Sequence, residues 1–288
     1  MTLLVLGAGG QVGRALVERA GRAALGCDRA ACDITDAPSV ARALALPGTS
    51  LVVNCAGYTA VDRAEGERQP AFAANATGAG IVAREAAALD LPVIHLSTDY
   101  VYAGAGAGAS REDEPIAPVN VYGASKAAGD ALVTAANPRH LVLRVSWVFG
   151  VHGANFVKTM LRLARERRDL RVVDDQIGGP TEARDIADAI LTMAAACRRP
   201  SFDAWGVYHF AGAPATSWHG FAQAIFARAK GPPPQLTPIA SRDYPTPARR
   251  PRNSRLDCSK IGRVFGIEQP DWRVALSRVL GAIDDVPT

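Results

Sequence analysis

The chain has 288 residues, of which 48% are hydrophobic and 21% charged, and its formal net charge is +4. Basic and acidic residues are interspersed apart from one cluster at Arg249, Arg250, Arg252 and Arg255, which excludes a general nucleic-acid surface and suits a single anionic ligand. Five scattered cysteines without a CxxC pair exclude a zinc or disulfide framework, and no apolar run approaches the roughly 18 residues of a membrane span, so a cytoplasmic protein without a membrane partner is expected.

Alanine and glycine are abundant, which suits helices packed closely on a parallel sheet. Residues 3–6 form an apolar run ending in Gly7, and Val12, Ala15, Leu16 and Ala20 follow at three- and four-residue spacing: strand, turn, helix. A second apolar patch ends at Asp28. Strands are predicted at residues 50–54 and 92–97, the latter after a long alanine-rich helix at about 72–89. A helix at about 121–135 and a strand at 141–145 continue the alternation, so the first half reads as a doubly wound parallel sheet of the Rossmann type. The second half is less regular, with helices at about 155–168, 185–196 and 218–230 and a strand at 206–210. Residues 103–109 alternate Ala and Gly, a pattern that cannot pack a core and predicts a flexible surface loop, either a lid or a plain mobile segment.

Gly7, Gly10 and Gly13 lie at GxxGxxG spacing between the first strand and the first helix. Missing side chains permit the tight turn and let backbone N–H groups approach a pyrophosphate at the helix N-terminus. Asp28 falls at the end of the second strand, where a carboxylate can accept hydrogen bonds from an adenosine ribose. Arg29 beside it suits a ribose phosphate, so the two residues leave NADH and NADPH both open. Ala56 and Gly57 end the next strand and leave room for the adenine half of the cofactor.

Tyr122 and Lys126 stand four residues apart at the start of a predicted helix and therefore share a face. A phenol with a pKa of about 10 is a poor proton source near neutrality, and a neighbouring cation draws that value down. Thr98, at the end of the preceding strand, is placed to add a hydroxyl to a substrate oxygen. His95, on the same apolar strand, reads as a core residue rather than a ligand.

The stretches GQVG (10–13), CDITD (32–36), NCAGYTAVDRAE (54–65), LSTDYVY (96–102), VYGASKAAGD (121–130), RVSWVFG (144–150), NFVKTMLRLA (155–164), DQIGGPT (175–181) and RRPRNSRLD (249–257) resemble the extended short-chain dehydrogenase/reductase family, in its dTDP-4-dehydrorhamnose reductase branch. The resemblance spans nearly the whole chain. It implies an α/β fold, a Rossmann-type doubly wound parallel sheet with a smaller C-terminal substrate-binding domain, divided as residues 1–147 with 182–212 and 148–181 with 213–288. It implies Thr98, Tyr122 and Lys126 as catalytic residues, and adds Gln11, Val12, Asp33, Ile34 and Tyr58 to the cofactor contacts. Asp99, Tyr100 and Trp147 would meet the sugar, and Asn155, Arg250 and Asn253 would lie toward the nucleotide. Trp147 either stacks on a sugar face or fills the domain boundary.

The implied activity is reduction of a 4-keto nucleotide sugar by NADPH or NADH, with a homodimer as a possible assembly. Some family members hold magnesium through glutamates near a dimer contact; here Arg184 stands where one such glutamate would align, and no metal site is expected. Two rivals share the fold. One is another nucleotide-sugar enzyme, an epimerase, a dehydratase or a reductase of a different sugar; a dehydratase would carry Asp-Glu after Ser-Thr, whereas this chain has Asp99-Tyr100. A regulatory nucleotide-binding subunit would not need Thr98, Tyr122 and Lys126 intact.

Overall fold

In the computed structural model, residues 2–284 are described. Six strands form one sheet: β1 (Thr2–Leu6), β2 (Ala24–Cys27), β3 (Thr49–Asn54), β4 (Val93–Thr98), β5 (His140–Val145) and β6 (Gly206–Phe210). Their order is β6-β5-β4-β3-β1-β2, with every neighbouring pair parallel. All six correspond to apolar runs legible in the sequence. The order reverses at β1, and in open parallel sheets a ligand crevice opens at the carboxyl ends of the strands at such a reversal.

Strand alternation explains how both faces are covered. Leu3, Val5, Leu51 and Val53 point to one face, where they pack with Val12 and Leu16 of α1 (Gln11–Ala20) and Ile186 and Ile190 of a later helix (Ala183–Cys197). Leu4, Leu6 and Val52 point to the other and meet Val40 and Leu44 of α2 (Ala37–Leu44) and Ile81 and Val82 of α3 (Ala79–Ala88). Ala79 and Ala83 of α3 also pack on Val133 of α4 (Val121–Ala136). The start of α2 is set by Asp36, whose carboxylate accepts the Ser39 N–H, with Pro38 in the first turn. Asn120 caps α4 in the same way, accepting from Gly123 N at 2.7 Å.

The predicted helix at 72–89 begins earlier, at Arg68, and passes through a π-helical turn at Ala73–Gly78 before continuing as α3. Such turns are uncommon and recur at functional sites. This one faces α4: a Cβ at Gly129 would lie 2.0 Å from the Asn75 carbonyl oxygen.

A second core joins Phe149, Val157, Met160, Phe221, Ile225, Trp272 and Leu276. Three helices supply most of it: α5 (Phe156–Glu166), α7 (Trp218–Phe226) and α8 (Trp272–Asp284), with Ala183–Cys197 taken as α6. Strands Asp169–Val173 and Gln235–Ile239 pair in parallel beside it. α7 stops short of the predicted end at Lys230, because Arg228 N–H turns back to Ile225 O as the chain approaches Gly231 and the proline run. No helix among the described residues is long and apolar enough to cross a membrane.

Candidate active site

The turn after β1 is built by close contact. Gly7 has φ +78°, and a Cβ there would lie 2.6 Å from Ala56 N; a Cβ at Gly13 would lie 2.3 Å from Gly7 O. Helix α1 has Gly10 as its N-cap residue, with no side-chain cap and no acidic residue in the first turn, so its first N–H groups are left for the crevice. A cleft of about 830 Å³ runs from this turn past Ala56, Gly57 and Tyr58 to Asp28, Arg29, Asp33 and Ile34. A second cavity of about 540 Å³ shares Gly9, Gly10, Cys55, Ala56 and Gly57 with it, takes in Gln11 and Val12, and reaches Thr98, Asp99, Tyr100, Tyr122, Lys126 and Trp147. The glycine turn and the hydroxyl-bearing strand end therefore lie along one continuous trough.

At its outer end Asp28 Oδ1 accepts the Ala31 N–H at 3.0 Å, and Arg29 extends into solvent with its guanidinium 4.0 Å from Asp33 Oδ2. Asp33 is held below the usual carboxylate range by the N–H and hydroxyl of Thr35. The middle of the trough depends on Asn75, on the π-helical turn. Its Oδ1 accepts Tyr58 N–H at 2.8 Å, while Nδ2 donates to Tyr58 O and to Ser125 Oγ, both at 2.9 Å. This clamp between the segment after β3 and helix α4 carries no linear motif in the sequence.

At the inner end Tyr122 and Lys126 do share a face of α4. Burial pushes the Tyr122 phenol up to about 12, opposed by the neighbouring Thr98 hydroxyl and reinforced by the charges of Asp99 and Asp130. The spacing predicted a phenol drawn down by the lysine, and burial prevails instead. The Lys126 ammonium donates to Leu96 O at 2.6 Å and lies 3.5 Å from His95 Nε2. Burial lowers its pKa to about 8, against the opposing charge of Asp130. His95 is in the core as expected, and it also touches Lys126.

Thr98 Oγ1 donates to Asp99 Oδ1 at 3.0 Å and accepts Tyr100 N–H at 3.2 Å. Asp99 is buried and pushed up to about 6, with hydrogen bonds from Ser254, Thr98 and Ser146 opposing the shift. The Tyr100 ring meets Tyr122 edge-on at 5.9 Å. Trp147 has φ +46°, a left-handed backbone that is costly for a bulky residue. Its indole covers Gly178, where a Cβ would come within 2.4 Å of Cε2, and stacks on Trp218. Trp218 lines the same cavity, yet its sequence position marked it only as a helix start.

The nucleotide-side residues are more dispersed. Arg250 lines a neighbouring cavity of about 670 Å³ together with Arg242, Arg249 and Arg252. Its Nη2 is ion-paired with Asp62 Oδ2 at 2.7 Å. Asn253 Nδ2 donates to the carbonyls of Gly106 and Gly108, and Arg255 donates to that of Ala107, so three carbonyls of the Ala-Gly loop are engaged. Asn155 caps α5 through Lys158 N and donates to Gln11 Oε1 at 3.1 Å, joining the second core to the glycine turn. In the segment after Pro180, the carboxylates of Glu182 and Asp185 are both engaged by Arg278.

The profile of the family described as the RmlD substrate binding domain matches residues 1–284. The chain belongs to this family, the dTDP-4-dehydrorhamnose reductases. A relative of that name from Aggregatibacter actinomycetemcomitans is 42% identical over 286 residues, covering 96% of this chain and 97% of its own. Among solved structures, the dTDP-4-dehydrorhamnose reductase of Clostridium acetobutylicum superposes with a TM-score of 0.92 at 30% identity, over 99% of this chain and 100% of that one. The Bacillus anthracis reductase, solved in complex with NADP, gives 0.90 at 33% identity over 98% and 100%.

Proposed function

We propose that this chain reduces the 4-keto group of dTDP-4-dehydro-6-deoxy-L-mannose to dTDP-L-rhamnose with NADPH or NADH. The observation that carries the reading is the convergence of Thr98, Tyr122 and Lys126 in a cavity continuous with the glycine-turn cleft. The identity of the sugar nucleotide comes from the relatives' names. When bound, the reduced nicotinamide supplies the hydride for the ketone carbon.

Tyr122 gives its phenolic proton to the ketone oxygen as charge develops there. A phenol pushed up by burial holds that proton through the neutral range, so it enters the reaction as an acid rather than a base. Lys126 supplies a cation to the phenolate left behind and a donor for the cofactor ribose. Thr98 stabilises the developing oxyanion by turning to it the hydroxyl proton that, without substrate, goes to Asp99 Oδ1. Trp147 and Trp218 form an aromatic wall for the sugar, and the cavity of Arg242, Arg249, Arg250 and Arg252 meets the nucleotide diphosphate, for which guanidinium forks are suited. The second core, within residues 148–181 and 213–288, is proposed as the substrate-binding part.

The test supplies purified protein with the product of the preceding dTDP-glucose pathway enzymes and follows reduced cofactor by absorbance. Consumption matching sugar reduced, one for one, is expected. Sugar conversion through many turnovers without added NAD(P)H would instead indicate a dehydratase or epimerase, which returns its hydride within each cycle.

A further inference from the structure

His95 sits behind Lys126 in a geometry that fixes its protonation. Asn54 Oδ1 accepts Ala56 N–H at 3.1 Å, which turns Asn54 Nδ2 toward His95 Nδ1 at 3.2 Å. Nδ1 therefore accepts, the neutral imidazole carries its proton on Nε2, and the approach of Lys126 Nζ to that nitrogen is a contact between two donors rather than a hydrogen bond. The ring is fully buried, and burial with the Lys126 charge holds its pKa well below the usual histidine value. Its Nε2 faces two groups, Lys126 Nζ at 3.5 Å and Asp130 Oδ1 at 3.9 Å.

Asp130 is one turn beyond Lys126 on α4, so an ammonium and a carboxylate stand at the i, i+4 spacing that ordinarily pairs them. Among the described residues they form no direct salt bridge. Asp130 Oδ2 accepts from Arg144 Nε at 3.0 Å, while Oδ1 is buried without a hydrogen-bond partner. We propose that His95 is a positioning residue for Lys126: its neutral ring stands between the ammonium and the Asp130 carboxylate and leaves the ammonium to Leu96 O and the cavity. The inference rests on the proposed role of Lys126 and goes beyond it by assigning what holds that group in place.

The groups facing this arrangement are few. Asp130 faces Lys126 from α4, His95 from β4, and Cys55 from the segment after β3. Arg144 on β5 and Ser97 on β4 face Asp130. Burial pushes the Cys55 thiol up to about 12, so it is neutral across the working range. With His95 shortened, Asp130 is the anion left for Lys126 to approach. Closer contact with an opposite charge raises the pH at which an ammonium loses its proton.

Two substitutions separate the ring's two nitrogens. His95→Gln places an amide N–H near the position of Nε2, whereas His95→Asn reaches only the position of Nδ1. The readout is the pH profile of kcat/KM for the reduced cofactor, which reports groups of the free enzyme. The wild-type profile should descend as Lys126 deprotonates near pH 8. In His95→Asn the descending limb should move up by about one pH unit, with an increased cofactor KM at neutral pH, and in His95→Gln it should stay in place.

A limb that does not move in His95→Asn, or that moves equally in both variants, overturns the inference. If His95→Asn fails to fold, His95→Gln, the closer match in size, decides alone: a shifted limb contradicts the positioning role. Lys126→Met is run alongside. Full activity in that variant would defeat the reading of Lys126 itself, while loss of activity there with an unmoved limb in His95→Asn would defeat the positioning role alone.

Discussion

The indole rings of Trp147 and Trp218 lie face to face, with centroids 3.5 Å apart and planes within 6°. Trp147 is held in a left-handed backbone conformation two residues beyond β5, and Trp218 opens helix α7, so the stack joins the segment after the sheet to the second core. Trp218 Nε1 also donates to Gln176 Oε1 at 3.2 Å, which fixes the outer ring. Aromatic pairs contribute about 0.5–1.5 kcal/mol beyond area burial. Trp218→Leu should therefore raise the KM for the nucleotide sugar by up to about tenfold and leave the cofactor KM within error. Equal changes in both constants would show that the stack supports the whole fold rather than the sugar end.

Cofactor choice should respond to the end of β2. Asp28 keeps one carboxylate oxygen beyond its bond to Ala31 N, and Arg29 is exposed with only a long contact to Asp33. Asp28→Ala should weaken NADH more than NADPH, because the carboxylate accepts from ribose hydroxyls and repels a phosphate. Arg29→Ala should do the opposite. Steady-state constants for both cofactors in both variants check this, and parallel losses would mean that neither side chain reads the ribose.

Asp99 links function to stability. Its folded pKa, raised to about 6 by burial, lies above that of an unfolded aspartate. The folded state therefore binds the extra proton more tightly, a contribution fully present only below the unfolded aspartate value of about 4 and lost as pH rises from there through about 6. The loss amounts to about 3 kcal/mol. Asp99→Asn removes it, so the variant should melt higher than wild type at about pH 8 and equally below about pH 4, while losing reductase activity. A melting temperature unchanged at both pH values would show that the carboxylate is not strained by its burial.

Much of this arrangement was legible in the sequence because it is local. The glycine turn, Thr98 at a strand end, and Tyr122 with Lys126 one helical turn apart follow from periodicity and spacing within a few residues. The long-range features were not legible. The basic cluster around Arg250 read as suited to an anionic ligand, and nothing local marked Asp62, far away in the chain, as the ion-pair partner of that guanidinium. The Ala-Gly loop lies on the surface as its composition suggests, but nothing local marked Asn253 and Arg255 as donors to its carbonyls. The parallel pairing of Asp169–Val173 with Gln235–Ile239 was hidden by the intervening chain and by Pro238, which an edge strand tolerates. Asn75 escaped notice because its role arises from a π-helical turn that no short pattern announces. His95 was placed correctly in the core, but only the folded chain brings it against Lys126.

The central claim is that the Tyr122 phenol delivers the proton to the ketone oxygen, and Tyr122→Phe tests it most directly. The substitution keeps the ring that packs edge-on against Tyr100 and removes only the hydroxyl. Melting temperature and cofactor affinity should stay near wild type, while turnover should fall by roughly 10²- to 10⁴-fold, the range general acid catalysis supplies. Turnover near wild type in a folded, cofactor-binding Tyr122→Phe enzyme would contradict the account, because the proton would then come from another group.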